Sequence, residues 1–326
     1  MNRILICFGT RPEYIKVLSL IENLPNSKKC FTCQHVDLLK NIDVDYKLDM
    51  NDIISSNRLN NIYCNILKYN DIFDNIDYVL VQGDTSTASA IALSAFHNNK
   101  KIIHLESGLR SGNLKDPYPE EMNRQVISRI ADIHLCPTEY NRHNLNKESI
   151  FDNIFVVGNT GLDNISKDNN QYGNKVLITL HRRDNLHMMD KWFYEINRLA
   201  EKYSDLEFIL PIHPNPEIRK HRELLTHVKV IDPITHNELI TILKECRFVI
   251  SDSGGLQEEC SFLNKKIVVC RRTTERPETI GTHSTMCHYP ENLEEIVNYI
   301  YINYEINAEC PYGDGMSWKK IVEIFK

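Results

Sequence analysis

Two nucleotide signatures are missing from this chain: it has no Walker A loop and no G-x-G-x-x-G to hold a dinucleotide. It has no block of Lys or Arg. At a net charge of −6 it therefore offers no general footing for nucleic acid or for a membrane surface. No apolar run is long enough to span a bilayer, and the first one, Ile4 to Phe8, stops at Gly9-Thr10-Arg11-Pro12 without forming a signal-peptide core. The ten cysteines are scattered. The one close pair, Cys30 and Cys33 in CFTC, has no second pair to complete a zinc site, and Cys7, Cys136 and Cys270 fall in apolar runs where a thiol behaves as a small buried hydrophobe. There is no sequence repeat and no low-complexity tract. What remains is an ordinary globular composition, 42% hydrophobic and 25% charged over 326 residues, enough for two cored domains. The expectation is a cytoplasmic protein whose partner is a small molecule held by a few placed cations.

Short β-rich runs alternate with helical patterns almost throughout, which predicts parallel sheets built from βαβ units. In the first half the strands are expected at Ile4 to Phe8, Phe31 to His35, Tyr78 to Gln82, Lys101 to Leu105, Asp132 to Cys136 and Ile154 to Val157, with helices over Glu13 to Asn23, Thr85 to His97 and Glu120 to Ile130. Their continuous apolarity suits sheets covered on both faces. A polar stretch from Gly158 to Tyr172 reads as a linker. Strands then resume at Val176 to Leu180, Glu207 to Pro211, Val228 to Asp232, Phe248 to Asp252 and Lys266 to Cys270. The reading is a first Rossmann-like domain over 1–165, a second over 173–308, and a terminal helix over 309–326 packing back on the first, with a cleft between two doubly wound domains.

Chemistry concentrates where strands end. His104 to Arg124, HLESGLRSGNLKDPYPEEMNR, follows a buried strand with carboxylates, arginines and turn residues. A charge such as Glu106 at that place is either a satisfied ion pair or part of a site, and in open α/β sheets ligands bind beyond the carboxyl ends of the strands. Asp84 in QGDTSTAS is a helix cap or a catalytic carboxylate. Glu120 and Arg124 share a helix face four residues apart, as an ordinary surface pair or as a carboxylate and cation presented together. FGTRPE opens a helix near Pro12, and with Arg11 and Lys16 makes either a well-capped terminus or an anion site. In the second half, His181 emerges past a strand in LITLHRRDN, and His213 does so in PIHPNP. SDSGGLQEE places Ser253, Gly254 and Gly255 at a helix amino end suited to a diphosphate, with Glu259 able to accept both hydroxyls of a ribose, and TTERPE adds Arg276. Together these fit a nucleoside-diphosphate sugar bound between two Rossmann-like domains, the α/β architecture called GT-B.

The collinear series GTRPE with Lys16, GDTSTA, HLESGLRSG, PEEMNR, VGNT, HRRDN, PIHPNP, DSGGLQEE, TTERPE and PYGDG (Pro311 to Gly315) resembles the non-hydrolysing UDP-N-acetylglucosamine 2-epimerases from residue 4 onward. The resemblance implies a homodimer that interconverts UDP-N-acetylglucosamine and UDP-N-acetylmannosamine without metal or redox cofactor, by eliminating UDP to a bound 2-acetamidoglucal and adding it back. It implies catalytic roles for Asp84, Glu106, Glu120 and His181, with crowding of the carboxylates raising at least one pKa. Substrate or diphosphate contacts are implied for Arg11, Lys16, Arg124, His213 and Arg276, and a UDP site at Ser253, Gly254, Gly255 and Glu259. Three departures stand out. Gln34-His35 is followed by Val36 and Asp37 where the bacterial enzymes have Arg, which argues against their allosteric activation by substrate; Leu239 replaces an aromatic usual against uracil; and Asp184 replaces a usual Glu. An alternative reading is C2 epimerisation of a 6-deoxy or L-configured UDP-2-acetamido sugar. The hydrolysing relatives generally lack the PEExNR signature. A GT-B glycosyltransferase would not need Asp84, Glu106 and Glu120 together, and a nucleotide-sugar sensor would have lost one of them.

Overall fold

The computed structural model describes residues 3–34 and 42–326; the expected departure at His35, Val36 and Asp37 lies outside the described residues. The chain forms two compact units, Met1–Asn164 with Gly313–Lys326, and Ile165–Tyr312.

The first unit is built on an all-parallel seven-stranded sheet of β1 (Ile4–Phe8), β2 (Lys28–Phe31), β3 (Tyr46–Lys47), β4 (Tyr78–Gln82), β5 (Lys101–Leu105), β6 (Ile133–Cys136) and β7 (Ile154–Val156), in the order β3-β2-β1-β4-β5-β6-β7. The helices α1 (Arg11–Asn23), α2 (Arg58–Leu67), α3 (Ser86–His97), α4 (Glu120–Ile130) and α5 (Glu139–Lys147) cover its faces. All five residues of β1 are buried, as a central strand apolar on both faces must be. The chain runs outward from β1 to β3 and then restarts at β4 on the other side. The strand order therefore reverses between β1 and β4, which is where open parallel sheets leave a crevice beyond their carboxyl ends.

One expected strand is displaced. Instead of the expected strand from Phe31 to His35, whose last residue lies outside the described residues, the structure has Lys28–Phe31, because Cys33 takes a left-handed backbone (φ 55°) that a strand cannot continue through. The two lysines that open β2 hid its start. The edge strand β3 and the sixth strand of the second sheet were not anticipated, being only two and three residues long.

The second unit repeats the design with β8 (Lys175–Thr179), β9 (Glu207–Pro211), β10 (Lys229–Ile231), β11 (Cys246–Ser251), β12 (Lys266–Val269) and β13 (Ser284–Met286), ordered β10-β9-β8-β11-β12-β13, all parallel. Its helices are α6 (Met189–Lys202), the single-turn α7 (Pro216–Arg219), α8 (His236–Lys244), α9 (Gly254–Phe262) and α10 (Leu293–Ile302). Trp192 and Phe193 of α6 are fully buried against Ile178, Phe208 and Phe248 of the sheet. Here the order reverses between β8 and β11.

Lys265, in the turn between α9 and β12, is fully buried. Its ammonium donates to the carbonyls of Gln171 (2.6 Å), Lys244 (3.0 Å) and Cys246 (2.9 Å), and lies 4.8 Å from the centre of the Tyr172 ring. Burial pulls its pKa down to about 8, which still leaves it charged at neutral pH. One side chain thus joins the residues before β8, the end of α8 and the start of β11.

The last helix, α11 (Ser317–Ile324), belongs to the first unit and packs on α1. Asp163 binds its first turn, accepting from the Ser317 (2.8 Å) and Trp318 (2.9 Å) amides, and also accepts from Ser19 (3.1 Å) on α1. Leu162, just before it, is buried, so this part of the polar stretch expected to be linker is integral to the first unit.

Candidate active site

In the first unit the candidate side chains gather where β1, β4 and β5 end. Gly9 and Thr10 follow β1, and their amides donate to the buried Glu13 carboxylate (2.8 and 2.7 Å), which also accepts from the Thr85 hydroxyl (2.7 Å). Burial raises the Glu13 pKa, and those hydrogen bonds oppose the rise. The start of α1 is thus already closed by its own carboxylate. An anion site there rests on Arg11, half-buried at the first helical position, and on Lys16 one turn on.

Lys16 reaches Glu106, its ammonium 2.6 Å from both carboxylate oxygens, with the Glu106 side chain only 8% exposed. Gln82, the last residue of β4, donates its side-chain amide to the same carboxylate. Glu106 is the first residue after β5 and holds φ at 65°, a left-handed conformation that costs a non-glycine residue about 1–3 kcal/mol. Its backbone is bent so that the carboxylate emerges from the strand end between two donors.

The β4 loop carries Asp84. Gly83 supplies the turn with φ 68°, its amide donates to the Leu105 carbonyl (2.9 Å), and its own carbonyl is held by His104 Nε2 (2.9 Å). His104 is completely buried, its Nδ1 has no partner among the described residues, and desolvation pushes its pKa down to about 3, so it is a neutral donor to Gly83. The helix cap that sequence offered as Asp84's bland role belongs to Thr85. The Asp84 carboxylate instead takes Arg124, through Nε at 2.9 Å and through Nη2. Arg124, on α4, also donates to the fully buried Glu121 (2.9 Å), and Asn123 donates to the Asp84 carbonyl (2.9 Å). Glu120 is half-buried at the first position of α4, one turn before Arg124. Lys16 and Glu106 are thus brought together, as are Arg124 and Asp84.

In the second unit His181 follows β8 and His213 follows β9. Their rings stack at 5.5 Å between centroids, 11° from parallel. Burial, then the neighbouring His181, hold His213 below the usual imidazole range. The residue that organises this end is one the sequence reading passed over, Asp252. Fully buried after β11, it accepts from the amides of His181 (3.0 Å) and Arg182 (2.9 Å) and from the Asn185 side chain (3.0 Å), and lies 3.4 Å from His181 Nδ1. Its sequence signal was the same as that of Glu106: a carboxylate straight off an apolar strand.

Ser253 stands at the N-cap of α9 without a side-chain cap bond, whereas Thr10, Thr85, Thr138 and Thr235 all cap their helices. A Cβ at Gly254 would lie 2.5 Å from Arg276 Nη1, so any side chain there would have to push the guanidinium aside. Arg276 is buried, bound to Glu258 (2.7 Å) and to Glu275; Glu275 also takes Arg271 (2.8 Å). The expected cation thus reaches the start of α9, but held between two carboxylates that sequence did not single out. Glu259 faces a different partner, His236 at the first position of α8, whose Nε2 is 2.7 Å from Oε1.

A family model described as UDP-N-acetylglucosamine 2-epimerase matches residues 27–326. The chain belongs to this family. The UDP-N-acetylglucosamine 2-epimerase of Bacillus subtilis (strain 168) is 34% identical, over 98% of this chain and 94% of its own length. That of Salmonella borreze is 34% identical, over 100% and 98%. The crystal structure of UDP-GlcNAc 2-epimerase from Neisseria meningitidis bound to UDP-GlcNAc superposes with a TM-score of 0.88 at 34% identity, covering 99% of both chains. Membership of the 2-epimerase family makes the protein an isomerase of the epimerase type built from two parallel-sheet α/β units, the GT-B class expected from the strand pattern.

Proposed function

We propose that the protein interconverts UDP-N-acetylglucosamine and UDP-N-acetylmannosamine, breaking the C2–H and C1–O bonds to release UDP and a 2-acetamidoglucal, then re-forming both with the proton on the opposite face. The observation that carries this reading is Glu106: a strained, largely buried carboxylate held by Lys16 and Gln82 at a strand end, on the sheet that also presents Asp84. Two-faced proton exchange at C2 needs an acid and a base of fixed orientation, and positioned carboxylates provide both. In this reading Asp84, Glu106, Glu120 and His181 handle protons. Arg11, Lys16, Arg124 and His213 bind the sugar and diphosphate. The α9 amino end with Ser253, Gly254, Gly255 and Arg276 receives the diphosphate, and Glu259 the ribose. That the Ser253 side chain does not cap α9 supports the diphosphate assignment.

Incubation in D₂O, followed by NMR, tests the reaction. Deuterium is expected at C2 of the product, and product without it would rule out exchange there. Running 6-deoxy and L-configured UDP-2-acetamido sugars alongside decides the substrate.

Gly255 gives a test of the diphosphate position. A Cβ there would meet nothing within 4 Å, and Ala favours a helix over Gly by about 1 kcal/mol. Gly255→Ala is therefore expected to keep the thermal midpoint while weakening UDP binding about tenfold or more by calorimetry, since a methyl would hold the phosphates off the helix amides. Unchanged affinity would remove the diphosphate from this turn.

The same reading makes the protein a cytoplasmic homodimer. All ten cysteines are free thiols, as a reducing compartment keeps them. Phe96 on α3, with Met122 and Val126 one turn apart on α4, exposes apolar surface suited to a second copy.

A further inference from the structure

We propose that His236 is a positioning residue for the nucleotide, fixing the Glu259 carboxylate so that it can accept both hydroxyls of the ribose. The inference rests on the assignment of Glu259 to the ribose made above.

A vicinal diol offers two O–H donors a fixed distance apart, and a carboxylate matches them only when its plane is set. Glutamate has three rotatable side-chain bonds, so its plane must be set by a donor on one edge. His236 Nε2 is that donor, 2.7 Å from Glu259 Oε1, and the other oxygen and the second lone pair of Oε1 stay available as acceptors. The two side chains are 21% and 16% exposed, shielded enough for the bond to hold against water.

The imidazole is itself rigidly placed. It stands at the first position of α8, where Thr235 and Glu238 form a capping box: the Thr235 amide and hydroxyl each donate to Glu238 at 2.7 Å, and the Glu238 amide donates back to the Thr235 hydroxyl at 3.3 Å. Leu239, one turn further on the same helix face, is half-buried and aliphatic. It has no flat ring to lay against a base, so orientation of the nucleoside falls more heavily on the ribose and on the pair that grips it.

The experiment compares UDP with 2′-deoxy-UDP by calorimetry on the wild type, His236→Ala, His236→Gln and Glu259→Ala, with thermal midpoints read on the same samples. The wild type is expected to prefer UDP by about tenfold or more, because a site built around a hydroxyl rejects the analogue without it. His236→Ala should lose most of that preference. His236→Gln, whose amide N–H can take the place of Nε2–H, should recover much of it, and also decides the matter if the Ala variant folds poorly. In turnover, KM should rise more than kcat falls. A preference that survives in His236→Ala but vanishes in Glu259→Ala would overturn the role of His236 and leave the ribose assignment standing. A preference that survives in Glu259→Ala would overturn both. If Gln behaves as Ala does, the imidazole does not act as a hydrogen-bond donor and the proposal fails.

Discussion

Glu106→Gln is expected to lower kcat for C2 epimerisation by about 10²–10⁴-fold, the range carried by a positioned general acid or base. Glutamine keeps the size and can still accept from Lys16 and Gln82, but it neither takes up nor delivers a proton at neutral pH. Asp84→Asn, beside Arg124, should fall in the same range. Both variants also take a carboxylate away from a shielded cation, since Lys16 is 16% and Arg124 4% exposed, though Arg124 keeps Glu121, so some loss of stability accompanies the loss of rate. Rates measured well below each variant's thermal midpoint separate the two effects. The double variant sharpens the test. If the two carboxylates serve one proton exchange, the pair should be little slower than the worse single, because residues that act as a unit are not additive. A single variant turning over near the wild-type rate, or a double variant whose loss is the product of the singles, would exclude this arrangement.

Lys265→Met should destabilise the second unit from outside the site. Methionine fills a similar volume but takes the ammonium donor from the carbonyls of Gln171, Lys244 and Cys246, of which that of Lys244 keeps the Gln171 amide (3.0 Å). An orphaned buried carbonyl costs about 1–3 kcal/mol, and that of Cys246 is the buried one of the three. For a unit of this size that lowers the thermal midpoint by about 5 °C. Calorimetric scans of both proteins check it, and an unchanged midpoint would mean that water replaces the ammonium without penalty.

Much of this was legible in the residues. The central strands β1, β4, β5 and β9 stand where their continuous apolarity placed them, because a strand buried on both faces has little freedom in where it begins and ends. Edges were harder. A two-residue strand such as β3 has no periodicity to read, and β2 opens on Lys28-Lys29 and ends before Cys33, whose left-handed backbone no local pattern announces. Among the site residues, the strand-end rule located Asp84, Glu106, His181 and His213. It could not say which partners they take. Arg124's bonds to Asp84 and Glu121, and Arg276's capture by Glu258 and Glu275, join elements far apart in sequence. Glu120 and Arg124 stood out because spacing along a helix is visible where contacts across a sheet are not. Asp252 was missed although it carried the same signal as Glu106, since the two glycines after it drew attention to the helix instead.

The first unit takes its last helix from a segment made only after the whole second unit. Val17 and Leu20 of α1 share a core cluster with Ile321 and Trp318, so during synthesis that face of α1 stays uncovered while Ile165–Tyr312 emerges. The second unit is one uninterrupted stretch and can complete its core first. The carboxylate-bearing half is therefore the one whose covering is finished last, when α11 is made and docks on Asp163.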